Sequence, residues 1–162
     1  MDVRQAEPVE LDVLAALWRD GWQDAHAGIL PAALVRYRTP ESFRHRLAGA
    51  MADVRVAGPV GAPLGFCIAH RDELYQLSVS EAGRGTGVAA SLLADAEARM
   101  RATGVETAWL TCAIGNARAA TFYEKHGWRR VGCTISRLTT PDGVFPLDVW
   151  RYEKNLDDGP AM

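Results

Sequence analysis

The chain has few cysteines, no long apolar run and almost no net charge, and these absences exclude several classes of protein. Its three cysteines, Cys67, Cys112 and Cys133, are widely spaced and form no C-x-x-C pair, so no disulfide framework is predicted. Eighteen Lys and Arg residues against twenty Asp and Glu give a net charge of −2. That balance supplies no basic field for nucleic acid or an anionic membrane. We therefore expect a reducing cytoplasm and no nucleic-acid partner.

Neither a signal peptide nor a membrane span is predicted. The segment Met1–Pro8 has no apolar core, and no run approaches the roughly 18 apolar residues that a span needs. Hydrophobic residues at 48% and charged residues at 23% are typical of a globular chain. No repeat or Pro/Gly linker divides the 162 residues, so we predict a single domain over 1–162, with a loose tail at about 155–162.

The periodicity of apolar residues predicts a mixed α+β fold with a mostly antiparallel central sheet flanked by helices. Strands are predicted at 2–7, 54–57, 64–70, 73–79, 105–113, 128–138 and 147–154, and helices at about 10–27, 87–102 and 117–126, with one or two more within 31–50. On the helix at 87–102, two acid-before-base pairs, Asp95/Arg99 and Glu97/Arg101, are expected on the outer surface.

A glycine loop joins the predicted strand at 73–79 to the next helix. Gly83, Gly85 and Gly87 alternate there beside Arg84. Glycine permits positive φ, and a helix N-terminus offers unpaired N–H groups, so the junction predicts an anion site suited to phosphate or pyrophosphate. The plainer alternative is a turn that only closes a tight corner. Neither G-x-G-x-x-G nor G-K-[ST] is present, which argues against a dinucleotide fold or a P-loop.

Two motifs carry a family resemblance. Arg84-Gly-Thr-Gly-Val-Ala89 resembles the Q/R-x-x-G-x-G/A loop of the GNAT N-acetyltransferase superfamily. Downstream, Asn116-Ala-Arg-Ala-Ala-Thr-Phe-Tyr-Glu-Lys-His-Gly-Trp128 resembles the N-x-x-A-x-x-F-Y-x-x-x-G-F/W segment of the same family. The resemblance covers about residues 60–154 firmly and the N-terminal helices loosely. It implies a GNAT-like acyl-CoA N-acyltransferase fold, with acetyl-CoA as co-substrate and no metal.

The resemblance also implies roles for individual residues. The pyrophosphate is expected on the backbone amides of the loop, namely Arg84, Gly85, Thr86, Gly87, Val88 and Ala89. The pantetheine arm is expected along the backbone of Leu77, Ser78 and Val79, with the Val79 amide donating to the thioester carbonyl. The second motif adds Asn116, Ala119, Phe122 and Tyr123 to the cofactor site. Asn116 can equally be a helix N-cap.

Two residues are candidates for proton transfer. Tyr123 is expected to act as general acid toward the thiol, and the alternative is a half-buried aromatic on an amphipathic helix. Glu73 stands where some family members carry a base, six residues before Val79. A strand repeat of two places it on the same face as Val79. The alternative for Glu73 is a solvated carboxylate at the start of a strand, beside Asp72.

The acceptor side is less clearly marked. Trp22, Asp24 and His26 precede a Gly28-Ile-Leu-Pro31 break that resembles acceptor-side segments of bacterial members, so these three are candidates for substrate binding. Residues 1–30 hold two arginines against six acids, which favours a cationic amine unless the acids form only a solvated helix face. His45, His70 and His126 show no metal-ligand spacing.

These observations predict an N-acetyltransferase that transfers the acetyl group of acetyl-CoA directly to a primary amine of a small molecule or peptide through a ternary complex. Cys67 and Cys112 lie in predicted strands away from any base, which argues against a covalent intermediate. Two alternatives remain: a non-catalytic acyl-CoA-binding sensor and a structural domain of the same fold. The Leu147–Lys154 strand could pair with a second copy to form a homodimer.

Overall fold

The computed structural model describes residues 2–156 and contains a seven-stranded sheet with strand order β1-β2-β3-β4-β5-β7-β6. The pairs are antiparallel except for the parallel pair of β4 and β5. The mixed α+β fold is thereby confirmed. In chain order the elements are β1 (Val3–Gln5), α1 (Leu11–His26), α2 (Ala32–Val35), α3 (Pro40–Ala50), β2 (Val54–Ala57), β3 (Gly65–His70), β4 (Glu73–Val79), α4 (Val88–Ala102), β5 (Thr107–Ala113), α5 (Ala117–Lys125), β6 (Arg129–Thr140) and β7 (Gly143–Asn155).

Helices cover both faces of the sheet and form two cores. On one face α4 and α5 bury a cluster that includes Leu92, Leu110 and Trp128. On the other face α1 and α3 bury a second cluster around Trp18 and Phe66. Helix α3 begins at a capped end, where the Thr39 hydroxyl accepts from the Ser42 amide at 3.2 Å.

The sheet is split between β4 and β5. Glu73 and Trp109 are the one bridged pair between these strands, next to a bond from the Trp109 amide to the Asp72 carbonyl oxygen at 2.9 Å. Beyond this pair the two parallel strands form no further ladder within the described residues, so the sheet opens toward Val79 and Ala113. The split leaves backbone of both strands available to a ligand.

A β-bulge in β4 changes which residues share a face. Ile68 pairs with Gln76 and Ala69 pairs with Leu74, which leaves Tyr75 as an extra residue. Leu74 therefore packs in the same core as Leu77 and Val79, on the face covered by α4 and α5. Glu73 falls on the opposite face. The expectation that Glu73 shares a face with Val79 is wrong, because the bulge shifts the repeat of two by one residue.

The two charge pairs expected on the outside of α4 are also corrected. Asp95 pairs with Arg55 of β2 at 3.1 Å and not with Arg99. Glu97 is buried, at 5% exposure, and accepts from Lys154 Nζ at 2.7 Å. Sequence spacing identified Arg101 as a neighbour of Glu97, at 3.6 Å, but spacing within one helix gives no information about a partner on another strand.

The end of the chain differs from expectation too. β7 lies between β5 and β6, so the Leu147–Lys154 strand is not an edge, and β6 is. Asn155 ends β7 and Leu156 is buried, so these two residues are not part of a loose tail. Residues 157–162 of the expected tail lie outside the described part of the chain. No helix of the described residues is long and apolar enough to cross a membrane.

Candidate active site

A cavity of about 600 Å³ lies at the split in the sheet. Gln76 and Ser78 line it from the face of β4 that packs toward α1 and α3, and they are joined by a 2.8 Å hydrogen bond. Leu77 and Val79 line it from the opposite face of the strand. Residues from both faces of β4 therefore take part in the lining of the cavity.

The glycine loop forms one wall of the cavity, through Gly83, Arg84, Gly85, Gly87, Val88, Ala89 and Ala90. Gly85 and Gly87 have φ values of 73° and 86°, a conformation that favours glycine. The first intrahelical bond of α4 runs from the Ser91 amide to the Gly87 carbonyl at 3.0 Å.

Several loop amides are left without a carbonyl partner. Within the described residues, the backbone amides of Gly85 and of 87–90 donate to no backbone carbonyl. Five unpaired donors beside the positive end of a helix dipole are the arrangement that an anion site at this loop requires. Thr86 is the exception among the predicted loop residues: it does not line the cavity, and its hydroxyl donates back to the Gly83 carbonyl.

Helix α5 forms the facing wall, with Asn116, Arg118, Ala119, Phe122 and Tyr123 on the cavity. The Asn116 side chain accepts from the Ala119 amide at 3.3 Å, so the predicted N-cap is confirmed. Tyr123 is 9% exposed. Burial is the largest cause that raises the pKa of Tyr123, followed by the neighbouring thiols of Cys112 and Cys67. The phenol therefore remains protonated and can donate a hydrogen bond to a developing anion.

Three cationic side chains line the cavity: Arg84, Arg118 and Lys125. Of these, Arg84 was predicted from the sequence and the other two were not, and neither was His126, which also lines the cavity. Helical spacing could have indicated Arg118 and Lys125. Together with Phe122 they recur at intervals of four and three residues, which places all three on one helix face.

Asp24 of α1 is placed against the cofactor loop and not in the cavity. Its carboxylate pairs with Arg84, and with Arg118 at 3.5 Å. The Arg84 guanidinium is the main cause that lowers the pKa of Asp24, with a smaller effect of Arg118. Asp24 lines a neighbouring cavity between α1 and the start of the loop. It therefore holds two of the cations that the phosphate ligand would need.

The other two acceptor candidates, Trp22 and His26, do line the cavity. His26 Nδ1 lies 2.8 Å from the Trp22 carbonyl oxygen, which can only accept, so Nδ1 carries the proton. Burial lowers the pKa of His26, which leaves a neutral ring. Trp22 packs edge-on against Phe43 of α3, with ring centroids 5.7 Å apart, so it joins the cavity wall to the core.

Glu73 is not among the residues that line the cavity. It lies at the closed end of the split, on the face of β4 that packs toward α1 and α3. Burial, and then the charge of Asp72, raise the pKa of this half-buried carboxyl. A raised pKa suits a general base. Because Glu73 does not line the cavity, a proton from a ligand in the cavity would have to cross the gap to its carboxylate.

The buried cysteines are poor nucleophiles. Burial raises the pKa of Cys67 to about 12 and that of Cys112 to about 11, so both remain thiols at neutral pH. Within residues 2–156 no cluster of three or more His, Cys, Asp or Glu side chains could hold a metal ion.

The fold has many solved counterparts at low sequence identity. A GCN5-related N-acetyltransferase from Rhodopseudomonas palustris is 19% identical with a TM-score of 0.74, covering 95% of this chain and 94% of that one. PaiA N-acetyltransferase from Thermoplasma acidophilum, in complex with coenzyme A, is 20% identical with a TM-score of 0.71, covering 95% and 98%. YncA from Salmonella typhimurium, with its cofactor acetyl-CoA, is 15% identical with a TM-score of 0.65, covering 100% and 97%. At these identities the likeness shows the fold.

Sequence comparison supplies the family. No curated protein sequence matches the chain. The family model described as acetyltransferase (GNAT) family matches residues 12–128. That match is more than half of the chain, and it includes the glycine loop, the split between β4 and β5, and all of α5. The chain therefore belongs to the GNAT acetyltransferase family.

Proposed function

We propose that the protein transfers the acetyl group of acetyl-CoA directly to a primary amine of a small molecule or peptide, with both substrates bound at once. The observation that carries the proposal is one cavity at the split in the sheet, lined by the glycine loop, α5 and β4 and also by Trp22 of α1. Such a cavity has room for a cofactor along the loop and α5 and for an acceptor on the side of α1. No residue of the protein then needs to carry the acetyl group.

The residues at the site fit acetyl-CoA. The unpaired amides of Gly85 and 87–90 suit a pyrophosphate, and Arg84, Arg118 and Lys125 add positive charge. Leu77–Val79 and Asn116 would hold the pantetheine arm by its amide groups. Acetyl-CoA supplies an acetyl thioester, from which an amine takes the acetyl group to form an amide and release the CoA thiol. Binding at this site would hold the thioester beside the backbone amides of β4.

Two residues assist the thiolate to leave and the amine to lose its proton in this proposal. Tyr123 is neutral and lines the cavity, so it can donate a hydrogen bond to the departing thiolate, a charge-assisted contact. The acceptor amine is protonated at neutral pH and must lose a proton before it attacks. Glu73, with its raised pKa, is the candidate base. Because it lies outside the cavity wall, it would act through a water molecule.

The test is thiol release from acetyl-CoA by the purified full chain across a panel of polyamines, aminoglycosides, amino acids and peptides with free N-termini. We expect amine-dependent release and an N-acetylated product detected by mass spectrometry. Calorimetric binding of acetyl-CoA without release for any amine would instead favour a sensor. Failure to bind acetyl-CoA at all would favour a structural domain.

A further inference from the structure

Two arginines on the α1 and α3 side of the sheet, the buried Arg38 and the half-buried Arg46, form no ion pair with an acid among residues 2–156. Arg38 is 8% exposed and forms no ion pair or side-chain hydrogen bond within the described residues. Arg46 Nε and Nη2 and the indole Nε1 of Trp18 are buried and also have no hydrogen-bond partner in that part of the chain. Buried N–H donors without an acceptor are costly, and a buried cation is more so.

The geometry brings these donors together. The Arg46 guanidinium carbon lies 4.4 Å from the centre of the Trp18 ring and 4.7 Å from that of Phe43. Burial is the main cause that lowers the pKa of Arg46 to about 10, and repulsion by Arg38 lowers it further. The Tyr75 phenol, through its charge and a side-chain hydrogen bond to Arg46, opposes both effects only in part. Stacking on two rings thus stabilises the Arg46 cation but satisfies none of its unpartnered N–H groups.

This arginine pair lies next to the wall of the active-site cavity. Tyr75 is the bulged residue of β4, and its neighbour Gln76 lines the cavity. Trp22 also lines the cavity and packs on Phe43, the ring beneath Arg46. The pair belongs to the α1 and α3 face, whereas the glycine loop leads into α4 on the other face. It therefore lies on the opposite side of the sheet from α4, the helix into which the glycine loop leads.

The charge of this segment differs from that of the first thirty residues. Residues 31–50 hold four arginines and one glutamate. Three of the six acids before them are paired within the protein: Glu10 with Arg4 at 2.8 Å, Asp12 with Arg44 at 2.7 Å, and Asp24 with Arg84. Half of the acids that suggested a cationic acceptor are thus neutralised by a partner, whereas Arg38 and Arg46 have no acidic partner in the described residues.

We infer that the acceptor amine carries an anionic group, a carboxylate or a phosphate-type group, which Arg38 and Arg46 bind. The inference rests on the proposed acetyl transfer and narrows its substrate class. From Tyr75 to Val79, β4 spans about 13 Å at roughly 3.3 Å per residue. An acceptor with its amine at the split and its anion at the arginines is therefore extended, so the two groups are separated by more than the one carbon of an α-amino acid.

The experiment compares matched acids and amides on the full chain. ω-Amino carboxylates of increasing length are assayed with acetyl-CoA beside the ω-amino amides of equal length, and ω-aminoalkylphosphonates distinguish the two kinds of anion. The variant is Arg38→Gln, with Arg38→Lys as the conservative change. Arg44→Gln is the matched control, since Arg44 is an exposed arginine of the same segment paired with Asp12. Arg46 stays unchanged, because its loss would open space beside Trp18 and Phe43.

We expect kcat/KM for the anionic acceptors to exceed that for the amides, and to fall roughly tenfold or more in Arg38→Gln. In Arg38→Gln, activity on the amides and KM for acetyl-CoA should remain unchanged. Arg38→Lys should keep part of the preference for anionic acceptors over amides, and Arg44→Gln should keep all of it. Equal use of acids and amides by the wild type would overturn the inference. An equal loss on both in Arg38→Gln would show a structural role and also overturn it.

Thermal unfolding tests anion binding independently of acetyl transfer. The melting temperature is measured with and without an ω-amino carboxylate, and with and without the ω-amino amide of equal length, for the wild type and Arg38→Gln. A rise for the wild type that is lost in Arg38→Gln supports the anion site even where no amine is acetylated, in which case the proposed function alone fails. The same rise in both proteins, or no rise in the wild type, overturns the anion site.

Discussion

Tyr123 is held on the cavity wall by its surroundings. Its ring packs edge-on against Phe122, with centroids 5.4 Å apart, and lies 6.1 Å from Trp128. We expect Tyr123→Phe to keep this packing and to lower kcat by about tenfold or more, with little change in KM for acetyl-CoA. Tyr152→Phe is the control, since it removes a hydroxyl that bonds Glu124 at 2.7 Å and does not line the cavity. Wild-type turnover in Tyr123→Phe would remove this residue from the acid role.

The raised pKa of Glu73 leads to a prediction about the pH dependence of kcat/KM. Burial and Asp72 raise its pKa, and a base must be ionised, so kcat/KM should fall as the pH decreases through a value above the ordinary glutamate range. Asp72→Asn removes the like charge, lowers the pKa of Glu73, and should move this acidic limb to lower pH. Glu73→Gln should abolish the limb. A pH–rate profile of Glu73→Gln that still shows it would exclude Glu73 as the base.

Asp24 competes for the cations of the cofactor site. Its carboxylate holds Arg84 and Arg118, and a bound pyrophosphate would need the same side chains. We expect Asp24→Asn to lower the dissociation constant of acetyl-CoA in calorimetric titrations, with a smaller effect at high salt because the pair is exposed. Asp20→Asn, on the same helix and without an ion pair, should change nothing. Weaker binding in Asp24→Asn would show that Asp24 orients the arginines for the cofactor.

At the scale of elements, Glu97 ties α4 to β7. Its carboxylate accepts from Lys154 Nζ at 2.7 Å and from Trp128 Nε1 at 3.2 Å, and Lys154 also bonds the His126 carbonyl at 2.9 Å. Lys154→Met leaves a buried carboxylate without its main partner, so we expect a loss of about 3 kcal/mol in the free energy of unfolding, measured by chemical denaturation. Arg44→Met breaks only an exposed pair and should cost less than about 1 kcal/mol. Similar losses in both variants would contradict this account.

Most elements of the fold could be predicted because their signals are local. Apolar spacing identified the helices and strands, and the caps at Thr39 and Asn116 are visible in the sequence and confirmed in the structure. The bulge at Tyr75 has no comparable signal, since one extra residue leaves the strand composition unchanged. The internal place of β7 depends on pairing between distant segments, which periodicity does not report.

At the scale of the whole molecule, the same distinction applies to the site. The glycine loop and α5 motif lie within short segments, so their residues could be named from the sequence, and the structure brings most of them to one cavity. Arg38 and Arg46 could not be recognised as a pair, because their meaning depends on burial against Trp18 and β4. Likewise, the sequence predicted Asp24 as an acceptor-side residue. Its partners in the structure are Arg84 and Arg118, which are sixty and ninety-four residues away along the chain.

The proposed direct transfer of the acetyl group also predicts the order of events that kinetics should show. Burial keeps Cys67 and Cys112 protonated, so neither thiol is suited to carry the acetyl group. We expect double-reciprocal plots at several fixed amine concentrations to intersect, as a ternary complex requires. Mass spectrometry of the protein incubated with acetyl-CoA alone should show no added acetyl group. Parallel plots together with an acetylated protein would mean that a residue of the chain carries the acetyl group, and the direct route would then be wrong.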